Sequence, residues 1–301
     1  MQHTSRGIAL KIGATLAFSI QYVGIKLAGD VPVGEVVLFR AFFALVPLFV
    51  LASYTVGIRR MVQTDRPHIH LIRSAVGATG MFLNFAALKL LPLADVTAFG
   101  FVQPIFAVVL AALVLKETIG PYRGAAVAIG FAGVMLMVQP HGGLFTLVGH
   151  GASAGAGLAL AGALASAFVV IYIRQMSATE KSETIVFYFM SFCAVVGALT
   201  MIWWRVPLSW SAAAWLIAAG VFGGFGQIMM TFSYRYAEPS LLAPFDYTAM
   251  IWAVAFGLLI FGETPALLVV AGAAIVTGAG AFIAWREHRI GRELASRVEA
   301  V

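Results

Sequence analysis

Ten apolar runs fill this chain of 301 residues, at roughly 6–28, 34–56, 69–90, 93–115, 121–139, 154–174, 183–204, 212–235, 239–261 and 265–285. Each approaches the about 20 residues that a helix needs to cross about 30 Å of hydrocarbon. Inside a bilayer no water satisfies a bare peptide group, so each run must close its hydrogen bonds within itself as a helix. Composition agrees, because 61% hydrophobic and 11% charged residues leave too little polar surface for a water-soluble globule. The expected fold is an all-α polytopic membrane protein with ten transmembrane helices, numbered here as spans 1 to 10 in the order of the runs. Turns at Leu91-Pro92, Gly120-Pro121 and Glu238-Pro239 are tight, which makes neighbouring spans antiparallel hairpins.

The runs are written twice. Residues 75–117 align with 221–263 at a constant offset of 146, superposing Gly77 on Gly223, Gly80 on Gly226, Lys89 on Arg235, Phe99 on Phe245 and Glu117 on Glu263. A fainter match at an offset of 150 sets Gly7-Ile8-Ala9-Leu10, Phe18 and Tyr22 on Gly157-Leu158-Ala159-Leu160, Phe168 and Tyr172. Span 5 (Gly124-Ala125-Ala126, Gly130) answers span 10 (Gly272-Ala273-Ala274, Gly278). Five spans per copy is an odd number, so the copies enter the bilayer from opposite sides as an inverted repeat. The expected organisation is a first five-helix repeat at 6–139, a linker at 140–153, a second repeat at 154–285 and a basic tail at 286–301.

The formal charge of +6 and pI near 9.7 do not point to nucleic acid, because the basic residues sit in short loops rather than in one patch. One side collects Arg6, Lys11, Arg59, Arg60, Arg66, Arg73, Lys116, Arg123, Arg174, Lys181, Arg235, Arg286, Arg289, Arg292 and Arg297; the other has Lys26, Lys89 and Arg205. Fifteen against three places both termini in the cytoplasm of a protein of the inner membrane. No cleavable signal peptide is evident, since the first apolar run is a full span. The lone Cys193 can form no internal disulfide or thiolate metal site. His68 and His70 at a helix start, and His141 and His150 in a loop, lack a matching set of carboxylates, so no metal is expected. Without a Walker loop, a hydrolase elbow or paired carboxylates, neither an enzyme nor a cofactor is expected.

Ionisable groups inside a span cost about 2.5 to 3.5 kcal/mol on insertion scales, and two stand out, Arg40 in span 2 and Asp246 in span 9. Arg40 either receives a carboxylate, phosphate or carbonyl of a substrate or snorkels to the surface. Asp246 either binds a substrate amine or a coupling proton, or caps backbone groups freed by Pro244. Together they favour a zwitterionic or neutral polar substrate. Pro104 and Pro244 are candidate helix breaks. Helical spacing aligns Lys11, Thr15, Ser19, Tyr22 and Lys26 on span 1; Arg73, Gly77, Gly80 and Asn84 on span 3; and Gly223, Gln227, Thr231 and Tyr234 on span 8. Phe101 and Tyr247 occupy equivalent positions, with Gln103 and Trp252 nearby. The candidate substrate contacts are therefore Tyr22 with its counterpart Tyr172, Arg40, Asn84, Phe101, Gln103, Gln227, Asp246, Tyr247 and Trp252. Rings with a few amides suit a planar solute held by stacking and directional hydrogen bonds. Glu117 and Glu263 read as capping or hinge charges. The small-residue surfaces of spans 5 and 10 suit scaffold packing or a homodimer face.

The duplicated unit, Arg40, Leu93-Ala94-Asp95 opening span 4, Pro104 within it and Lys116-Glu117-Thr118 closing it resemble the drug/metabolite transporter superfamily, of the ten-helix EamA type. The second copy answers with Ala237-Glu238-Pro239-Ser240 and Gly262-Glu263-Thr264. The resemblance covers about residues 6 to 285. It implies two inverted bundles around a central cavity formed mainly by spans 1, 3, 4, 6, 8 and 9, alternating between inward and outward access. Members export amino acids and related metabolites or import compounds such as S-adenosylmethionine and riboflavin. The segment Arg66-Pro67-His68-Ile69-His70-Leu71-Ile72-Arg73 resembles the uptake branch, which makes an aromatic vitamin such as riboflavin the first substrate expected. Small multidrug relatives carry a glutamate in the first span; here Gln21 and Tyr22 take that region, against simple cationic drugs.

Overall fold

A computed structural model describes residues 2–114, 121–143, 151–176, 180–236, 242 and 245–298. Among them there are helices and turns and no strand. Spans 1 to 3 are the helices Gln2–Leu27, Val33–Tyr54 and Pro67–Leu90. Span 4 is split into Leu93–Gly100 and Gln103–Val114, and span 5 is Pro121–Val138. The second half follows with Ala152–Met176, Ser182–Thr200 and Trp210–Tyr236 as spans 6 to 8. Span 9 comprises Thr248–Phe256 and a π turn, Gly257–Phe261, and span 10 is Leu267–Val298. Among the described residues eight helices are long and apolar enough to cross a membrane, and the shorter apolar helices Thr248–Phe261 and Leu267–Ile283 bring the number to ten. Pro244, Lys116-Glu117-Thr118 and Ala237-Glu238-Pro239-Ser240 lie outside the described residues.

The two halves interlock rather than sit side by side. Span 1 packs on span 8 and span 3 on span 6, contacts that the repeat exchanges; span 2 packs on span 7 and span 5 on span 10, contacts that it maps onto themselves. Spans 5 and 10 approach backbone to backbone at Gly133 and Gly272, where a Cβ on Gly133 would stand 2.8 Å from the Gly272 carbonyl oxygen. These glycines are thus used inside one chain, because small residues let helices meet closely where no hydrophobic effect drives them together. Apolar side chains such as Ile129, Phe131, Leu267 and Val270 stay exposed on the outer surface of the pair.

Both central spans are interrupted at the same place. In span 4 the helix gives way at Phe101 and Val102, whose N–H groups donate back to Ala98 and Phe99 carbonyls at 3.1 Å each. Pro104 is the second residue of the resumed helix, where a missing N–H leaves nothing unpaired. In span 9 the turn falls at Tyr247, the repeat equivalent of Phe101.

Three sequence expectations change with the structure. Lys11 and Arg73, counted above with the basic loops, are 1% and 4% exposed, packed inside the helix bundle. His141 is buried rather than in an open loop. Its Nε2 lies 2.9 Å from Asp95 Oδ2, and its Nδ1 lies 3.0 Å from the Met137 carbonyl oxygen, so span 5 is pinned to the start of span 4.

Candidate functional site

Spans 1 and 9 come from different repeats, run in the same direction, and are joined by polar groups from one end to the other. Near the face that carries the N-terminus, here the basic face, the Lys11 ammonium lies 2.7 Å from Asp246 Oδ1. The lysine is buried, whereas the Asp246 side chain is 46% exposed. One turn further along, the hydroxyls of Thr15 and Thr248 stand 2.7 Å apart, and Trp252 Nε1–H donates to Thr15 Oγ1 at 3.3 Å. At the opposite face Lys26 pairs with Glu263 and donates to the Leu91 carbonyl at 3.2 Å.

Glu263 reaches this place through a local backbone device. Gly262 takes φ +65°, a left-handed conformation open to glycine at no steric penalty, and the Glu263 N–H turns back to the Gly257 carbonyl at 2.9 Å. The carboxylate then accepts the Leu93 N–H at 2.9 Å, one of the free amides at the start of span 4. One side chain therefore latches spans 1, 4 and 9 together on the face away from the termini. The Phe101 and Tyr247 rings meet edge-to-face, 5.0 Å apart, so the two helix breaks touch.

A second group of polar residues lies among spans 1, 2, 3 and 7. Arg40 is 6% exposed; its Nε–H donates to Gln21 Oε1 at 3.2 Å and its Nη1 lies 2.9 Å from Met190 Sδ. Gly223 of span 8 makes this possible, because a Cβ there would collide with Gln21 Oε1. The Arg73 guanidinium lies 4.1 Å over the Phe189 ring, and its Nε and Nη1 have no hydrogen-bond partner. Phe189 and Met190 are adjacent on span 7, so both arginines reach the same turn of that helix. Among the described residues no carboxylate pairs with either.

Below Arg40 a cavity of about 340 Å³ opens between spans 2, 7 and 8. Its mouth at the basic face carries Glu180, Lys181, Ser182 and Glu183, its walls include Leu48, Val186, Ile228 and Phe232, and its inner end is formed by Ala44, Met190 and Gly224. Glu180 at the mouth accepts Thr64 Oγ1–H at 2.7 Å and lies 3.5 Å from His70 Nε2, whose ring stacks on Tyr188. Of the spans named above for the central cavity, only span 8 lines this one.

The candidate contacts fall into two groups and several singletons. Asp246, Tyr247, Phe101 and Trp252 gather along the seam of spans 1, 4 and 9, while Arg40 and Gln227 belong to the arginine pocket and its cavity. Tyr22 meets Phe85 edge-on at 6.3 Å and is close enough to Arg40 to feel its charge, so it borders the arginine pocket. Asn84 donates to the Gly80 carbonyl of its own helix at 2.9 Å, against Gly162. Gln103 and Tyr172 are half-buried. Sequence reasoning gave no site role to Lys11, Gln21, Arg73, Glu263 and Met190. Lys11 and Arg73 did stand on polar stripes, and that spacing was the signal; Met190 carried none.

The EamA-like transporter family model matches residues 5–139 and again residues 153–285. The chain is 28% identical to the riboflavin transporter of Vibrio cholerae, covering 97% of each sequence. It is 27% identical to the pseudopaline exporter of Pseudomonas aeruginosa, over 90% of this chain and 93% of the relative. To the S-adenosylmethionine uptake transporter of Rickettsia prowazekii it is 26% identical, over 89% and 87%. A solved crystal structure superposes with a TM-score of 0.64 over 95% of this chain and 99% of the other at 21% identity, which supports the fold. With one match on each half, the chain belongs to the EamA-like transporter family, as a multi-pass membrane transporter of small molecules.

Proposed function

We propose that this protein moves a small polar organic metabolite across the inner membrane by alternating access, with both termini in the cytoplasm, and that uptake of an aromatic vitamin such as riboflavin is the first activity to test. The observation that carries the proposal is the joint between repeats. Paired helix breaks at Phe101 and Tyr247 bring two rings into contact, flanked by Trp252 and the Lys11–Asp246 pair. Broken helices at a repeat interface are where transporters offer backbone and side chains to a solute, and rings suit a planar one. The length-wide similarity to a riboflavin transporter supports the same reading.

A second reading, S-adenosylmethionine uptake or export of amino acids and related metabolites, is favoured by one feature. Arg40 and Arg73 are buried with no carboxylate between them among the described residues. Growth of a riboflavin auxotroph on low external vitamin, with and without the gene, separates the two: rescue supports vitamin uptake. Lack of rescue together with efflux of amino acids from loaded cells sinks it.

A further inference from the structure

The charges inside the bundle do not balance, and the imbalance has a location. Asp246 and Arg40, read together, suggest a zwitterion-binding pair, but Asp246 lies against Lys11 and is neutralised there. Glu263 is likewise matched by Lys26. Of the other buried carboxylates, Asp95 faces His141, and Glu35 accepts the Val206 N–H toward the start of span 2; Arg40 and Arg73, both over nine-tenths buried, converge on Phe189 and Met190 of span 7 with no carboxylate at ion-pair distance among the described residues. Burying one guanidinium without an anion is unfavourable by several kcal/mol, and two near one helix turn repel.

The cavity between spans 2, 7 and 8 leads to this place. Arg40, Ala44 and Leu48 follow one another at i, i+4 and i+8 on one face of span 2, and the last two line the cavity. Arg40 therefore stands one turn beyond its inner end, separated from it by the Met190 thioether that its own Nη1 touches. A methionine has three rotatable bonds and adapts its shape readily. Charged side chains line the cavity only at its mouth, with Glu180, Lys181 and Glu183, while its walls and inner end are uncharged and Arg40 stands beyond them.

We propose that this cavity binds an organic solute bearing a carboxylate or phosphate, whose anionic group is received by Arg40 and Arg73 once the Met190 side chain swings aside. The proposal rests on the transporter reading above and selects, over riboflavin, which bears neither group, the solutes of its second reading that carry a free carboxylate or phosphate. The cavity volume, about 340 Å³, lies in the range of small-molecule sites.

The test places a thiol at the gate, with Met190→Cys in a Cys193→Ala background of the full chain in nanodiscs. Rates of modification by the anionic sulfonatoethyl and the cationic trimethylammonium-ethyl methanethiosulfonates are each normalised to a free thiol. The anionic reagent is expected to be favoured at least ~10-fold, the effect of about 1.4 kcal/mol of electrostatic preference, with the preference lost in Arg40→Gln and Arg73→Gln and kept in Arg40→Lys. S-adenosylmethionine should slow the reaction more than its decarboxylated form, or flavin mononucleotide more than riboflavin. Equal normalised rates, a preference untouched by either glutamine variant, or no greater protection by the carboxylate- or phosphate-bearing member of both pairs overturns the proposal. Slowing by phosphatidylglycerol over phosphatidylcholine alone hands the site to a lipid headgroup and also overturns it. Riboflavin uptake that survives Arg40→Gln with no anion preference defeats this inference and leaves the transporter reading standing; anion protection without transport of any solute does the reverse.

Discussion

The seam between spans 1 and 9 and its repeat-related counterpart between spans 6 and 4 join the same two halves with opposite chemistry. Along the first stand Lys11, Thr15 and Lys26 against Asp246, Thr248, Trp252 and Glu263, linked by two ion pairs and a hydroxyl cluster. In the second, Ala161, Ala165 and Met176 replace the two lysines and the threonine, and Gly100, Val102 and Phe106 replace Asp246, Thr248 and Trp252. None of these six is charged, and Glu117, the equivalent of Glu263, lies outside the described residues. Both seams are packed. An apolar seam is held by shape and packing alone, contacts that can re-form after a shift of one helix along the other. A polar seam instead holds directional bonds that must be broken together, so under the proposed alternating access the step is expected there.

Several substitutions break or sharpen this contrast. The largest effect is expected from Asp246→Asn, which keeps an oxygen acceptor but removes the negative charge facing the buried Lys11 ammonium and lowers stability by about 2 kcal/mol, below the range for a fully buried pair because the carboxylate is half-exposed. Lys11→Met leaves only a half-exposed carboxylate and should lower it by about 1 kcal/mol, discounted for solvent screening. Thermal unfolding in detergent ranks the two, and equal losses would show that the pair is not asymmetric.

Gly223→Ala comes next, because its methyl group displaces Gln21 from Arg40; a loss of about 1 to 2 kcal/mol follows from a buried donor left unmet. Glu263→Gln keeps an acceptor for the Leu93 N–H but removes the charge facing Lys26. It should change stability by about 1 kcal/mol while raising solvent accessibility at the Leu91–Leu93 turn, read by hydrogen exchange. Unaltered exchange there would mean that Glu263 does not latch that face. Smallest is Thr15→Val, expected to shift stability by about 0.6 kcal/mol, the average for hydrogen bonds between membrane helices. Writing threonines into the other seam, as Ala165→Thr with Val102→Thr, should give no gain, and a gain as large as the Thr15→Val loss would erase the contrast.

Much of the fold was legible because its rules are local. Apolar run length gives helices, and a gapless offset of 146 gives the repeat, so even the meeting of Phe101 with Tyr247 lay near the surface of the sequence as two equivalent positions. What was not legible is pairing over distance. Thr15 and Thr248 are 233 residues apart, and nothing local to Lys11 says that Asp246 waits beside it rather than water. Lys11 and Arg73 looked like loop charges because each is only a turn or two inside its helix, and the tilt of neighbouring helices decides which such residues are covered. The cavity among spans 2, 7 and 8 depends on Met190, whose side chain has no polarity to mark it.

The most direct measurement is the distance across the polar seam on the face away from the termini, between spin labels at Asp30 and Thr264 in a Cys193→Ala protein in nanodiscs. Both sites are exposed and flank the Lys26–Glu263 pair. The account predicts two populations, a short one and one longer by about 5 Å or more, with Glu263→Gln moving weight to the longer and leaving both distances in place. A single distance in the native protein, unchanged by Glu263→Gln, would contradict it.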